Sequence, residues 1–226
     1  CGSLGSKIAM HLARSGRAPM SVIDNDTMEP HNYARHSCLP YSADLDSLFY
    51  SSKAGELAHD VSKLAQETDG FRIDANTVLR TKEFRRKLKL EKSKAILNTT
   101  ASAVLRETLS STSWTKGKAP RVMEASLMGD SDIGYFSVSG QGANPSSSDL
   151  MAEFYHHMRS DDALRSKVMG QSADEIIIGQ GCSSFSMIAA CLAKSSLSSA
   201  STRARSSAKR SMAPWVRVVA MLWGNR

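Results

Sequence analysis

The chain has 226 residues, of which 41% are hydrophobic and 23% are charged, a globular composition that excludes a disordered or fibrous protein. No apolar run approaches the ~20 residues that a membrane-spanning helix needs, so helical membrane proteins are also excluded. The net charge of +7 raises the question of nucleic acid, but the basic residues concentrate in two stretches, 82–94 and 203–210. No aromatic residues interleave with the second stretch, so we interpret both as solvated helix faces or contacts with an acidic partner, and nucleic acid is not expected.

The cysteine pattern indicates the redox compartment. Cys1, Cys38, Cys182 and Cys191 are widely spaced and form no C-x-x-C pair. This spacing disfavours structural zinc and a disulfide scaffold, and it predicts a protein of the reducing cytoplasm. The chain does not begin with Met and its first residues resemble the middle of a motif, so we expect a fragment whose start is missing.

Helix-like and strand-like patterns alternate through the first half of the sequence. Apolar residues at helical spacing predict helices over residues 6–15, 53–66, 82–90 and 102–109. Short apolar or alternating runs predict strands over residues 19–23, 71–74 and 95–97. This alternation predicts an α/β fold with a mainly parallel sheet and helices on both faces.

The second half departs from strict alternation. Strands are predicted over residues 121–125, 133–139, 176–178 and 215–223, and helices over residues 149–158 and 185–195. Because two strands follow one another directly, we expect antiparallel pairing in this half. The Ser/Arg-rich stretch 195–211 lacks hydrophobic periodicity and is interpreted as a loose helix tail or linker.

The first six residues, C-G-S-L-G-S, would complete a G-x-G-x-x-G loop if a glycine preceded Cys1. Such a loop lets backbone amides approach phosphate at a helix N-terminus. The next predicted strand ends at Asp24, 19 residues after Gly5, where an acid can accept hydrogen bonds from ribose hydroxyls. Taken alone, Asp24 and Asp26 are equally compatible with turn-capping roles.

The continuation over residues 24–36, D-N-D-T-M-E-P-H-N-Y-A-R-H, distinguishes these interpretations. It resembles the nucleotide motif D-x-D-x-v-x-x-x-N-x-x-R of the ubiquitin-activating-enzyme-like superfamily, which includes ThiF, MoeB and HesA relatives. Asn32 and Arg35 fall eight and eleven positions after the first Asp, as in that family. The resemblance is closest over residues 1–53 and implies a Rossmann-like adenylation domain over residues 1–226, without its first strand and first loop glycine.

The resemblance also implies the site residues. Asp24 would hold the ribose of ATP, and Asn32 and Arg35 would contact its phosphates, roles that suit a carboxylate, a neutral donor and a permanent cation. Lys53 occupies the place of the family's phosphate-binding lysine, although a solvated residue at a helix start is the alternative. The complete nucleotide site implied in this way contains Gly2, Gly5, Asp24, Asp26, Asn32, Arg35, Lys53 and Asn98.

The sequence departs from the family where magnesium is expected. The family has D-x-x-D after the next strand, with the second acid assisting Mg²⁺, whereas this chain has Asn98 and Ala101. Asn98 can form hydrogen bonds but cannot neutralise a metal ion. The substitution therefore calls the metal-assisted step into question.

Cys182 has the sequence context of a catalytic thiol. It follows a glycine turn and is expected to precede a helix N-terminus, which favours the thiolate. In activating enzymes a cysteine beyond the adenylation core receives the acyl group as a thioester. The alternative is a small buried residue at a turn, and Cys38, expected in an exposed loop, is the second candidate for the thioester.

Three functional hypotheses follow. The first is an enzyme that adenylates the C-terminal carboxylate of a ubiquitin-like or sulfur-carrier protein with ATP, with thioester formation as a later step. The second is a catalytically degenerate scaffold or partner subunit, and the third, an NAD-dependent oxidoreductase, is disfavoured by Asn32 and Arg35. The resemblance also implies a homodimer in which Arg14 or Arg17 reaches the site of the opposite subunit.

Overall fold

The computed structural model describes residues 1–40, 51–115, 117, 119–129, 131, 133–169, 175–179, 185–189 and 221–222. The helices in this part of the chain are α1 (Ser3–Arg14), α2 (Lys53–Ser62), α3 (Ala75–Arg80), α4 (Lys82–Lys87), α5 (Ala103–Ser111), α6 (Ser147–Ser160) and α7 (Asp162–Met169). The strands are β1 (Met20–Ile23), β2 (Thr68–Phe71), β3 (Ala95–Asn98), β4 (Arg121–Met128), β5 (Ile133–Val138), β6 (Glu175–Gly179), β7 (Phe185–Ala189) and β8 (Met221–Leu222).

The strand pairings change in character along the chain. β1 pairs with β2 in parallel, and β3 pairs with β4 in parallel. β5 lies antiparallel between β4 and β8, and β6 and β7 form a separate antiparallel pair. These pairings confirm the predicted α/β fold, with parallel strands in the first half and antiparallel strands in the second.

The apolar side chains of the described residues form three buried clusters. The first joins α1, β1 and α2 and supports the loop that follows β1. The second packs α3 and α5 against β3 and β4, and the third packs α6 against β5. Hydrophobic burial of the apolar faces of α1, α2, α3, α5 and α6 therefore holds these helices against the strands.

Two glycines allow helices to approach strands closely. A Cβ atom added at Gly70 would overlap the backbone carbonyl of Ala54, so α2 lies directly on β2. A Cβ atom added at Gly5 would overlap the hydroxyl of Thr99, which follows the last residue of β3. The first turn of α1 is therefore positioned at the carboxyl end of β3.

Several predicted elements differ from those observed. The strand predicted over 71–74 lies three residues earlier, at Thr68–Phe71, and the helix predicted over 82–90 ends at Lys87. Lys89 has a left-handed backbone (φ +53°), which interrupts the helix before a 3-10 turn at Leu90–Lys92. Helices α3 and α7 were not predicted.

The helix predicted over 185–195 is wrong where it can be compared. Residues Phe185–Ala189 form β7, which pairs antiparallel with β6 over five residues. The physical reason is that backbone pairing with a neighbouring strand overrides a weak local helical pattern. Residues 190–195, Cys182, Cys191 and the Ser/Arg-rich stretch 195–211 lie outside the described residues.

None of the helices in the described ranges combines the length and the hydropathy needed to cross a membrane.

Candidate functional site

A small cleft lies at the N-terminal end of α1. Its lining residues come from the glycine loop, the loop after β1 and the start of α2, and they are Gly2, Ser3, Asn32, Arg35, His36 and Lys53. Four of them (Gly2, Asn32, Arg35 and Lys53) were assigned to a nucleotide site from the sequence. The fold thus brings together residues from three separate segments of the chain.

One wall of the cleft is the first turn of α1. Gly2 is the N-cap residue, with an extended backbone, and no side chain in the described part of the chain caps the helix. The first N–H groups of a helix lack intrahelical partners, and the aligned peptide dipoles place partial positive charge there. Because α1 has 12 residues, this end of the helix favours an anion in the cleft.

The loop after β1 supplies Asn32 and Arg35. A 3-10 turn at Pro30–Asn32 is closed by the Asn32 side-chain oxygen, which accepts a hydrogen bond from the Glu29 amide at 3.1 Å. The amides of Arg35 and His36 donate to the Asn32 carbonyl at 3.0 and 2.9 Å. The exposed Arg35 guanidinium makes no ion pair with any described residue, so it is available to a ligand.

His36 connects this loop to the glycine loop. Its Nδ1 atom accepts a hydrogen bond from the Cys38 amide at 3.2 Å, and its Nε2 atom lies 2.7 Å from the Cys1 carbonyl. Since Nδ1 is an acceptor, the proton belongs on Nε2, which then donates to Cys1. Burial lowers the pKa of His36 to about 4, so the ring is neutral at pH 7.

Lys53 reaches the cleft from the first turn of α2. Its side chain is 12% exposed and its Nζ atom lies 2.7 Å from the Asp26 carboxylate, which is itself 65% exposed. The backbone supports this arrangement, because the Lys53 amide donates to the Asp26 carbonyl and Thr27 forms a β-bridge with Ser52. Lys53 is therefore a partly enclosed cation of the cleft, and the alternative of a solvated residue at a helix start is wrong.

Asp24 lies beside the cleft rather than in its lining. Its amide donates to the Phe71 carbonyl at 3.1 Å, which places it at the carboxyl end of β1. Its carboxylate accepts a hydrogen bond from the Asp26 amide at 2.9 Å. Asp24 thus holds the turn that carries Asp26.

Gly5 and Asn98 have structural roles in this conformation. Gly5 is buried against Thr99, and neither Gly5 nor Asn98 lines the cleft. The side-chain oxygen of the buried Asn98 accepts hydrogen bonds from the Thr100 amide and hydroxyl at 3.1 and 2.8 Å. The side-chain nitrogen of Asn98 is buried and has no hydrogen-bond partner within the described ranges.

The end of β3 offers no carboxylate to a magnesium ion, because Asn98 and Ala101 stand there. The oxygen of Asn98 is already used by Thr100, and Ala101 offers no ligand. Among the described residues, no group of three or more His, Cys, Asp or Glu side chains could hold a metal ion.

Cys38 is not the exposed nucleophile that the sequence suggested. It is fully buried in the apolar cluster that includes Met28 and Ala54. Burial, followed by a hydrogen bond with Asp60, raises the pKa of the Cys38 thiol to about 12. The thiol is therefore protonated near neutral pH and the exposed-loop expectation is wrong, because the loop folds back onto α2.

Arg14 and Arg17 lie far from the cleft of their own chain. Both are exposed, and Arg14 ends the 12-residue helix whose other end forms the cleft. At 1.5 Å per residue the two ends are roughly 18 Å apart. Either arginine could serve only a site in another subunit.

Ser3 and His36 were not predicted as cleft residues, although both lie in or next to the recognised motifs. His36 directly follows the arginine of the nucleotide motif, and Ser3 directly follows Gly2 of the glycine loop. Ser3 donates its hydroxyl hydrogen to the Arg35 carbonyl at 2.9 Å. Adjacency to the motif was the available signal, but only the folded loop shows these contacts.

No family model matches the chain, and no curated protein matches it either. Solved structures of E. coli MccB are similar to part of it. The structure of MccB alone is 19% identical to this chain, with a TM-score of 0.44. The match covers 61% of this chain and 35% of the MccB chain. The complex of MccB with ATP is 18% identical to this chain, with a TM-score of 0.46. This match covers 61% of this chain and 37% of the MccB chain.

The complex of MccB with AMPCPP and MccA has the same identity and TM-score as the ATP complex. It covers 61% of this chain and 36% of that one. The chain thus spans a little over a third of the length of these proteins. A likeness of this size does not assign a function to the cleft.

Proposed function

We propose that the protein binds ATP, with the triphosphate in the cleft at the N-terminal end of α1. The observation that carries the proposal is the convergence of Arg35 and Lys53 on an uncapped helix N-terminus. Each of these three features attracts a phosphate oxygen. Asn32 adds a neutral donor, since its side-chain nitrogen has no partner among the described residues.

The neighbouring acids would complete the site. Asp24 lies at the carboxyl end of β1, where an acid can accept hydrogen bonds from ribose hydroxyls. Asp26 orients the Lys53 ammonium through its 2.7 Å contact. The resemblance of residues 24–36 to the superfamily motif supports these assignments.

The reaction we propose is adenylation of the C-terminal carboxylate of a ubiquitin-like or sulfur-carrier protein. A carboxylate oxygen attacks the α-phosphorus, the bond to the β-phosphate bridging oxygen breaks, and pyrophosphate leaves with the electron pair. Arg35 would stabilise the charge that develops on the phosphate during this transfer. The product is an acyl-adenylate, a mixed anhydride that a thiol can attack.

We propose Cys182, which lies outside the described residues, as that thiol. Its sulfur would attack the acyl carbon, the carbon–oxygen bond to AMP would break, and the thiol proton would pass to solvent. Cys182→Ser should leave pyrophosphate exchange intact, because adenylation precedes thiol attack. It should also abolish any thiol-sensitive adduct with the carrier, and a surviving thiol-sensitive adduct would assign the step to another cysteine.

A cytoplasmic homodimer completes the proposal. Arg14 and Arg17 are exposed at the end of α1 that points away from the cleft, where a partner's site could receive them. Light scattering at micromolar concentration should give twice the monomer mass. A monomer at all concentrations would contradict the dimer.

A catalytically degenerate scaffold is the second candidate, and the replacement of two acids by Asn98 and Ala101 favours it. ATP–pyrophosphate exchange in the presence of candidate carrier proteins separates the two candidates. The enzyme should show carrier-dependent exchange, and Arg35→Ala should reduce it at least tenfold, by about 1.4 kcal/mol or more. Arg86→Ala, at an exposed arginine of α4, is the matched control and should leave exchange unchanged. ATP binding without exchange would favour the scaffold.

A further inference from the structure

The segment that carries Arg35 is held by three contacts, made at Arg35 itself and at its neighbours His36 and Tyr33. Ser3 donates to the Arg35 carbonyl, and His36 reaches the carbonyl of Cys1. Tyr33 lies two residues before Arg35 in the chain, and its hydroxyl donates to Glu56 Oε1 at 2.8 Å. The first two contacts join the loop to α1, whereas the third joins it to α2.

The contact between Tyr33 and Glu56 connects the two cations of the cleft. Glu56 lies one turn after Lys53 on α2, and Tyr33 lies between Asn32 and Arg35 in sequence. The hydrogen bond therefore couples the segment that presents Arg35 to the helix that presents Lys53. A shift of the loop relative to α2 would change the separation of the two cations.

The burial of the Glu56 carboxylate at this position costs free energy. Glu56 is buried, and its Oε1 atom is contacted by two hydroxyl groups, those of Tyr33 and Ser51. Its Oε2 atom is buried and has no hydrogen-bond partner among the described residues. Burying a carboxylate costs more than burying an apolar side chain of similar size unless its hydrogen bonds are complete. Burial and the hydrogen bond to Glu56 raise the pKa of Tyr33 to about 12, so the phenol remains a donor.

We propose that Tyr33 and Glu56 are a positioning pair that sets the distance between Arg35 and Lys53 for phosphate binding. Neither residue lines the cleft, so we assign the pair an indirect role through the loop and α2. The pair acts by holding the loop on α2. This inference rests on the proposed function, because the spacing of the two cations matters only if a polyphosphate lies between them.

The test uses Tyr33→Phe, which removes one hydroxyl group and leaves the ring in its apolar cluster. Tyr135→Phe is the matched control, since Tyr135 is a buried tyrosine of β5, in a different apolar cluster. Two measurements are made on each protein: the amide hydrogen-exchange rate of residues 32–38, and the calorimetric Kd for ATP. The first needs no nucleotide and reports the anchoring of the loop alone.

Tyr33→Phe should speed amide exchange over residues 32–38 and raise the Kd for ATP, each about tenfold, while Tyr135→Phe changes neither. Glu56→Gln keeps an acceptor oxygen for the hydroxyl and should retain ATP affinity within about threefold, whereas Glu56→Ala should behave like Tyr33→Phe. In an Arg35→Ala background, Tyr33→Phe should change the Kd less than twofold further, because the pair acts through Arg35.

Three results would overturn the positioning role. The first is unchanged amide exchange in Tyr33→Phe, and the second is an equal effect of Tyr135→Phe on the Kd. The third is a full additional tenfold loss in the Arg35→Ala background. If the wild-type protein binds no ATP, the proposed function fails, and the amide-exchange comparison still decides whether the pair anchors the loop.

Discussion

The ion pair between Arg106 and Glu124 gives the largest stability effect that we predict for a single substitution. Arg106, on α5, donates three hydrogen bonds of 2.7–3.0 Å to the Glu124 carboxylate, whose side chain is 0% exposed. Arg106→Met removes every one of these donors and leaves the carboxylate buried without its cation. Breaking a buried pair in this way costs about 3–5 kcal/mol.

The effect should extend to the β3–β4 sheet. Glu124 is the register partner of Asn98 in the parallel β3–β4 pair, and Thr99, next in the chain, contacts the first turn of α1. Urea unfolding followed by circular dichroism measures the loss. With a slope of about 2 kcal/mol/M, the midpoint of Arg106→Met should fall by about 2 M.

Two companion variants identify the cause. Arg165→Met breaks the ion pair with Asp162 on the surface of α7, where both side chains are largely exposed, and it should cost less than about 1 kcal/mol. The double variant Arg106→Met, Glu124→Leu should recover most of the lost stability, because no buried charge remains. A loss below about 1 kcal/mol in Arg106→Met, or no recovery in the double variant, would refute the reasoning.

Three further predictions concern the region around the cleft. Gly5→Ala should lower the melting temperature by several degrees, because the added Cβ atom would overlap the Thr99 hydroxyl. Adding Thr99→Ala should restore most of the melting temperature, since the two Cβ atoms would lie 3.4 Å apart, and a failure to restore it would contradict this contact. In the native protein at pH 7.5, iodoacetamide should label the half-buried Cys1 before the buried Cys38, as measured by peptide mass spectrometry. Equal labelling of the two cysteines would contradict the burial of Cys38. Because the folded pKa of His36 (about 4) lies below its unfolded value of about 6.5, the free energy of unfolding should decrease as the pH falls from 6.5 to 4. His36→Gln should flatten this pH dependence, and an unchanged pH dependence would contradict the neutral ring.

The sequence predicted the parts of the site that depend on local spacing. Gly2, Asn32 and Arg35 belong to short motifs whose spacing is independent of the rest of the fold, and they line one cleft. Lys53 was harder to assign, because a long connection separates it from Arg35. Its place depends on backbone pairing between residues 26–28 and 51–53, which spacing does not reveal.

The remaining features depend on tertiary packing. The burial of Cys38 and the contact of Tyr33 with Glu56 require α2 to lie against the loop after β1, so a linear pattern contains no signal for either. The strand β7 was predicted as a helix for a related reason. Its pairing partner β6 is separated from it by a short connection, and pairing decided a segment whose local preference was weak.

Calorimetric titration of the protein with ATP, and separately with NAD, tests the central claim that the cleft binds the phosphates of ATP. We predict binding of ATP in preference to NAD, a Kd at least tenfold higher in Arg35→Ala and in Lys53→Ala, and an unchanged Kd in the control Arg86→Ala. A preference for NAD, or an ATP affinity that Arg35→Ala and Lys53→Ala leave unchanged, would contradict the claim.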